Sequence, residues 1–134
     1  MKRKFLTLFI TVTLLFSLGS FAKSFWQGKT LSSSEVKNKW GSNTLDFNKF
    51  KSGTLKDKSA MAYSILTNKD LIGKSIEYVR ENFGTPDGFY FIDAYPAYII
   101  QEGASHQEET WQIIFKLNNK YQVKEILVHK NCCE

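Results

Sequence analysis

Ser75 to Pro86 is the most sharply punctuated stretch of the 134-residue chain, and it divides the sequence into two kinds of structure. Ser75 is a natural N-cap, and Glu77 stands in the first turn, where the helix dipole favours an anion. Ile76, Val79 and Phe83 follow at i, i+3 and i+7. Gly84 suits the left-handed position after a helix, and Pro86 prevents continuation. A short helix over about 76–83 is therefore specified at both ends. Thr85-Pro86-Asp87-Gly88 then reads as a turn, with Pro presetting one torsion and Gly supplying a positive one. Before this switch, Met61, Ala62, Ile65 and Leu66 form a helical apolar stripe that predicts a helix over about 57–67. Asp57 serves its N-terminus and Asn68 ends it.

After the switch the pattern is that of strands. Phe89-Tyr90-Phe91-Ile92 is aromatic and branched, Tyr95-Pro96 interrupts, and Ala97 to Gln101 resumes. In Thr110 to Leu117, Trp111, Ile113, Phe115 and Leu117 fall on one face, with Gln112, Ile114 and Lys116 on the other. Tyr121 to His129 pairs back through Asn118-Asn119-Lys120, where two asparagines tolerate positive φ. The expected fold class is α+β: two short helices packed on a three- to four-stranded antiparallel sheet.

The N-terminus carries a different message. Lys2, Arg3 and Lys4 precede the run Phe5 to Phe16, and Ser20-Phe21-Ala22 supplies a small-x-small site. This is the pattern of a signal peptide over residues 1–22, which predicts export to the periplasm or medium. The other reading is a membrane anchor formed by uncleaved residues 5–22, at the short edge of what spans a bilayer. Of 18 basic and 13 acidic residues in the whole chain, removing those three cations leaves 15 against 13. The basicity thus belongs largely to the targeting segment, and no nucleic-acid partner is expected. Residues 23–56 form a polar, Lys-rich arm, read as loosely structured. Within it Ser32 to Val36 can start, and Lys39-Trp40-Gly41 can stop, one or two helical turns. Residues 57–134 make the α+β domain.

Reactive groups are few. His106 and His129 are the two histidines, and Cys132 and Cys133 the two cysteines. Adjacent thiols cannot both face one zinc ion well, so no metal is expected. They cannot staple the domain to a third cysteine either: the adjacent pair can close only a strained eight-membered ring, and otherwise the thiols stay free or pair between chains through Cys132 or Cys133 as a disulfide-linked dimer. Glu102, His106, Glu108 and Glu109 form a polar loop rather than a protected acid–base site. Gly73-Lys74-Ser75 imitates the end of a phosphate loop but lacks the upstream glycine. No catalytic group and no cofactor are expected. Tyr90, Tyr95, Tyr98, Trp111 and Tyr121 read as core and cross-strand aromatics, with some at a rim suited to a protein interface.

Leu71-Ile72-Gly73-Lys74-Ser75, Val79, Phe83-Gly84-Thr85-Pro86-Asp87 and Trp111 to Phe115 together resemble the SmpA/OmlA (BamE-type) small envelope proteins, over roughly residues 57–129. The resemblance implies helices on an antiparallel sheet, as in β-lactamase-inhibitor-protein-like folds, and a non-enzymatic binding module of the cell envelope. Gly73, Ser75, Val79, Gly84 and Pro86 carry over as structural positions only. The lipidated cysteine that follows the signal peptide in outer-membrane assembly members has no counterpart near Ala22. The expected function is an exported, non-catalytic module that binds another envelope or secreted protein. The alternative is a soluble inhibitor or protective protein that masks a secreted or periplasmic enzyme with its aromatic sheet face.

Overall fold

A computed structural model describes residues 28–92, 94–103 and 110–131. The signal segment, the loop residues His106, Glu108 and Glu109, and Cys132 and Cys133 lie outside the described residues. Within them the chain forms β1 (Lys29–Leu31), α1 (Ser33–Trp40), α2 (Phe47–Ser52), α3 (Leu55–Ala60) and α4 (Ala62–Leu66). A 3-10 turn (Lys69–Leu71), α5 (Ile76–Phe83), β2 (Ala97–Gln101), β3 (Trp111–Leu117) and β4 (Val123–Lys130) follow. The four strands make one antiparallel sheet in the order β1-β4-β3-β2. The helices pack on one sheet face, so the α+β expectation holds, with five α-helices rather than two.

The arm is where sequence and structure part. It is not loosely structured: it supplies the edge strand β1 and the helices α1 and α2, and it places Leu31, Val36 and Phe50 in the core. Its local chemistry explains how. Ser32 and Glu35 form a reciprocal capping box at the start of α1, and Gly41 ends it. Asp46 caps α2 through the Lys49 N–H at 3.0 Å. Trp40 packs edge-on to Trp111 with ring centroids 6.0 Å apart, and its indole N–H donates to Gln101 at 2.9 Å. The caps satisfy backbone groups at the helix ends, and the Trp40 contacts tie α1 to the sheet, where so short a helix would be unstable alone.

The helix expected over 57–67 is two. It starts earlier, at a capping box formed by Thr54 and Asp57, and breaks at Met61. The Ala60 carbonyl accepts from the Asn43 N–H at 3.0 Å, and the Ser64 hydroxyl accepts from the Leu45 N–H at 3.2 Å. The connection between α1 and α2 therefore lies along the break and takes a carbonyl that a continuous helix would keep.

α5 matches its expected range and shows what the signature residues do. Gly73 takes φ +85° with open space around it, so its conformation rather than room requires glycine. Its N–H donates to Val123 at 2.8 Å, and the Val123 N–H returns to Lys74 at 2.8 Å. Ser75 caps the helix through the Tyr78 N–H at 3.1 Å. Val79 is fully buried in the core. Gly84 has φ +90°, and its carbonyl accepts the buried Tyr98 hydroxyl at 2.9 Å. Burial raises the Tyr98 phenol above its usual pKa, which keeps it a neutral donor.

Phe83 is the centre of the aromatic core. Its ring lies 5.2 Å from Phe47, 5.2 Å from Phe50 and 4.8 Å from Phe115, measured between centroids. Phe50 and Phe115 in turn meet Tyr98 edge-on. Such pairs add to the area they bury. Two of these rings come from the arm, so replacing Phe50 by Ala is expected to lower the unfolding free energy by about 3–5 kcal/mol in urea titration. Ser32→Ala is expected to cost about 1 kcal/mol by loss of the α1 cap. An arm without fixed structure predicts near-zero change for both.

Candidate functional site

Strand β3 is buried along both faces. Trp111, Ile113, Phe115 and Leu117 enter the helix-covered core, and Gln112 and Ile114 are buried on the other side with Ala97 and His129. The second face thus needs a cover of its own, and the segment between Pro86 and Pro96 provides it. Sequence composition makes Phe89 to Ile92 a strand, but the chain forms a compact turn there. Phe91 takes φ 50°, and the Ile92 N–H folds back on the Tyr90 carbonyl.

Two side chains hold this loop from behind. Gln112 projects from β3 and accepts the Phe89 N–H at 2.7 Å. Asn131, just past β4, donates to the Phe89 carbonyl. Gly88 passes so close to Gln112 and Ala97 that a side chain there would collide: an added Cβ would lie 2.3 Å from the Gln112 amide oxygen. Here close approach, not the positive φ expected from the turn, requires glycine. Asp87 and Gly88 donate their N–H groups to the Ala97 carbonyl at 3.1 and 2.9 Å, and the Asp87 carboxylate accepts the Ile99 N–H at 2.8 Å. The loop is thereby tied to the outer edge of β2.

With its backbone held inward, the loop turns its apolar side chains outward. Phe89, Phe91 and Ile92 are 49%, 46% and 50% exposed. Beside them lies a cleft of about 250 Å³, lined by Phe89, Ile92, Tyr95, Pro86, Pro96 and Arg80 of α5. Tyr90 turns the other way. Its ring meets His129 edge-on at 4.9 Å, and the Phe91 ring meets the same imidazole at 5.7 Å.

His129 is only 2% exposed. Its Nδ1 lies 2.9 Å from the Thr30 hydroxyl on β1, and its Nε2 is buried with no hydrogen-bond partner among the described residues. A neutral ring with its proton on Nδ1 leaves only a lone pair unpaired. A protonated ring would leave a charged N–H there instead. Burial accordingly lowers its pKa from 6.5 to about 4. His129 is therefore a structural link between the edge strand and the aromatic loop. The glutamate of the acidic loop that is described, Glu102, is exposed, and among the described residues no group of three or more potential ligands is placed to hold a metal.

The aromatics named from the sequence are split by the fold. Tyr98 and Trp111 are core, Tyr90 and Tyr95 are half-buried around the loop, and Tyr121 is exposed at the β3–β4 turn. In that turn Tyr121 takes the positive φ of 57° that the asparagines were expected to adopt; Asn118 instead accepts the Lys120 and Gln122 N–H groups through its side chain. Phe89, Phe91, Ile92 and Arg80 were not singled out as a site. The signal that could have found them is the bracketing of an aromatic run by Pro86 and Pro96, the two prolines of the chain. Among the described residues no helix is long and apolar enough to cross a membrane. Compared with protein-family models, curated proteins and solved structures, the chain gives no match.

The buried histidine sets a pH dependence whose sign follows from its lowered pKa. Between pH 6.5 and about 4 the unfolded chain binds a proton at residue 129 that the folded chain refuses. Stability is fully present above 6.5 and is lost as pH falls through that window, by about 1–3 kcal/mol. The capping carboxylates Glu35 and Asp57 are also held below their usual values, chiefly by the Ser32 and Thr54 backbone N–H groups, so their contribution disappears only in stronger acid. Unfolding measured from pH 8 to pH 4 should show the loss, and His129→Gln should flatten the curve between 6.5 and 4.

Proposed function

We propose that this chain is an exported, non-catalytic protein-binding module of the bacterial cell envelope, with the tip Phe89–Ile92 as its docking surface. The observation that carries this reading is the pairing of fixed backbone with exposed apolar side chains. Gln112 and Asn131 hold the loop from behind, while Phe89, Phe91 and Ile92 each present about half their surface to solvent. Apolar groups clustered on a held surface mark interaction sites more often than single exposed residues do. Aromatic anchors that need little ordering also lose little entropy on binding. The basic start and apolar run of residues 2–16, with Ser20-Phe21-Ala22, support export. The resemblance to SmpA/OmlA envelope proteins supports the same assignment. The partner on this reading is another envelope or secreted protein.

Two measurements test the proposal. Cells are fractionated and the intact mass is read with and without reductant. The soluble exported fraction should contain a chain of residues 23–134, and a doubled mass that collapses on reduction would identify Cys132 and Cys133 as an intermolecular link. A photo-crosslinking amino acid at position 91 should then give a discrete adduct in cells, whereas one at exposed Lys56 on α3 should not. Phe89→Ser with Ile92→Ser should abolish the adduct while changing stability by no more than about 0.5 kcal/mol per site. Retention of residues 1–22, or equal adducts at 91 and 56, would overturn the assignment.

A further inference from the structure

His129 joins two segments that have no long ladder or helix behind them. One is β1, a three-residue edge strand, whose Thr30 hydroxyl lies 2.9 Å from Nδ1. The other is the aromatic turn, whose Tyr90 and Phe91 rings meet the imidazole edge-on. That turn needs holding, because Phe91 sits at φ 50°, which an aromatic residue adopts only at a cost.

The far side of the ring is closed in. Gly28, which leads into β1, passes so near that a Cβ there would lie 2.8 Å from Nε2. Among the described residues two buried side-chain atoms have no hydrogen-bond partner, His129 Nε2 and the Asn131 amide oxygen. Both belong to side chains that hold residues 89–92, since Asn131 donates to the Phe89 carbonyl. With its proton on Nδ1, a neutral ring leaves only a lone pair at Nε2. A second proton puts a charged N–H where no acceptor is in place.

The charges on the surrounding elements are engaged elsewhere. In the β1–β4 register Lys29 and Lys130 pair beside Thr30 and His129, but Lys29 acts on Glu35 and the Lys130 ammonium lies 5.5 Å from the Trp111 ring centroid. On β3 the residue opposite His129 is the uncharged Gln112, and Lys116 pairs with Glu125 of β4. On the loop, the Asp87 carboxylate meets the Ile99 N–H and Lys58, and Arg80 of α5 lines the cleft beside Phe89. Burial alone therefore sets the charge of this imidazole. Among the described residues His129 is also the one histidine or carboxylate that is buried, so the helix-covered core holds no equivalent group.

We propose that His129 is a proton-sensing latch: its protonation frees β1 and residues 89–92 from the second sheet face while the Phe83-centred core stays folded. A ring that accepts a proton only after opening shifts the balance toward the open form as pH falls. The latch does not rest on the docking reading. Where residues 89–92 dock a partner, acid withdraws the surface that docks.

The test is amide hydrogen exchange, followed by NMR on the form of the chain that cells accumulate, between pH 6.5 and 4.5 and corrected for the intrinsic rate. The Phe89 N–H, held by Gln112, reports the latch, and the Val79 N–H, held by Ser75 in α5, reports the core. Phe89 should be the less protected, with an opening that low urea leaves unchanged, whereas the opening of Val79 rises with urea. Opening at Phe89 should increase by about 5- to 10-fold per pH unit from 6 to 4.5. His129→Gln should remove that slope, and Asp87→Asn, which keeps an oxygen for the Ile99 N–H, should retain it. A pH-independent opening at Phe89 in the unsubstituted protein overturns the proposal, whether or not the Gln variant folds. So does a slope that survives His129→Gln or vanishes in Asp87→Asn. Openings of equal size and equal urea dependence at Phe89 and Val79 overturn it as well, because the whole molecule then unfolds together.

Discussion

Burial of β3 on both faces is the constraint from which the rest follows. A strand in an antiparallel sheet commonly keeps one wet face, and its sequence then alternates cleanly. Here Gln112 and Ile114 are as deeply enclosed as their neighbours, so one cover is not enough. Five helices supply the first. The second is a loop without regular structure, and such a segment brings backbone groups that need partners. Gln112 meets that need from the strand itself. Its side chain is polar where the pleat would predict an apolar residue, because it serves the Phe89 N–H rather than the core. Replacing it by a hydrocarbon would fill the space and leave a buried donor unpaired.

The same logic ties the chain's beginning to its end. β1 is three residues long and would not persist alone, yet its Thr30 hydroxyl reaches His129 on β4, and that imidazole supports the Tyr90 and Phe91 rings. Edge strand, buried histidine and aromatic loop form one connected unit on the second face. On the first face Phe83 gathers rings from α2, β2 and β3. Each cover therefore has its own centre, one aromatic and one polar, with β3 and β4 between them.

How much of this was legible in the sequence depended on whether the signal was local. Caps are local: Ser32, Ser75, Gly41 and Gly84 announce helix ends through a few neighbouring atoms, and the structure places those ends where the residues imply. The hairpin strands were legible because alternation extends over seven or eight residues. The arm was not. Leu31, Val36 and Phe50 are too far apart to make a stripe, and they lie among lysines, serines and asparagines that fit a loop equally well. Phe50 is buried against Phe83 and Tyr98, and Leu31 pairs with Val128, so the partners lie far along the chain. Phe89 to Ile92 misled for a related reason. Strand-like composition describes a residue's taste for a packed surface, and these residues find that surface by lying across the sheet rather than within it. The candidate site lies in that misread segment, so its exposure could not be seen before the fold was known.

Asp87 has one more effect, on the relations between molecules. An exposed strand edge offers unpaired donors and acceptors to any other chain, the usual beginning of edge-to-edge polymerisation. The outer edge of β2 is closed at Ala97 and Ile99 because the loop's N–H groups and the Asp87 carboxylate occupy the positions a foreign strand would take. The apolar tip and the closed edge come from the same few residues. A protein that shows half-exposed phenylalanines at concentration risks sheet growth with its own copies; here the segment carrying them also shuts the seam along which such growth would run.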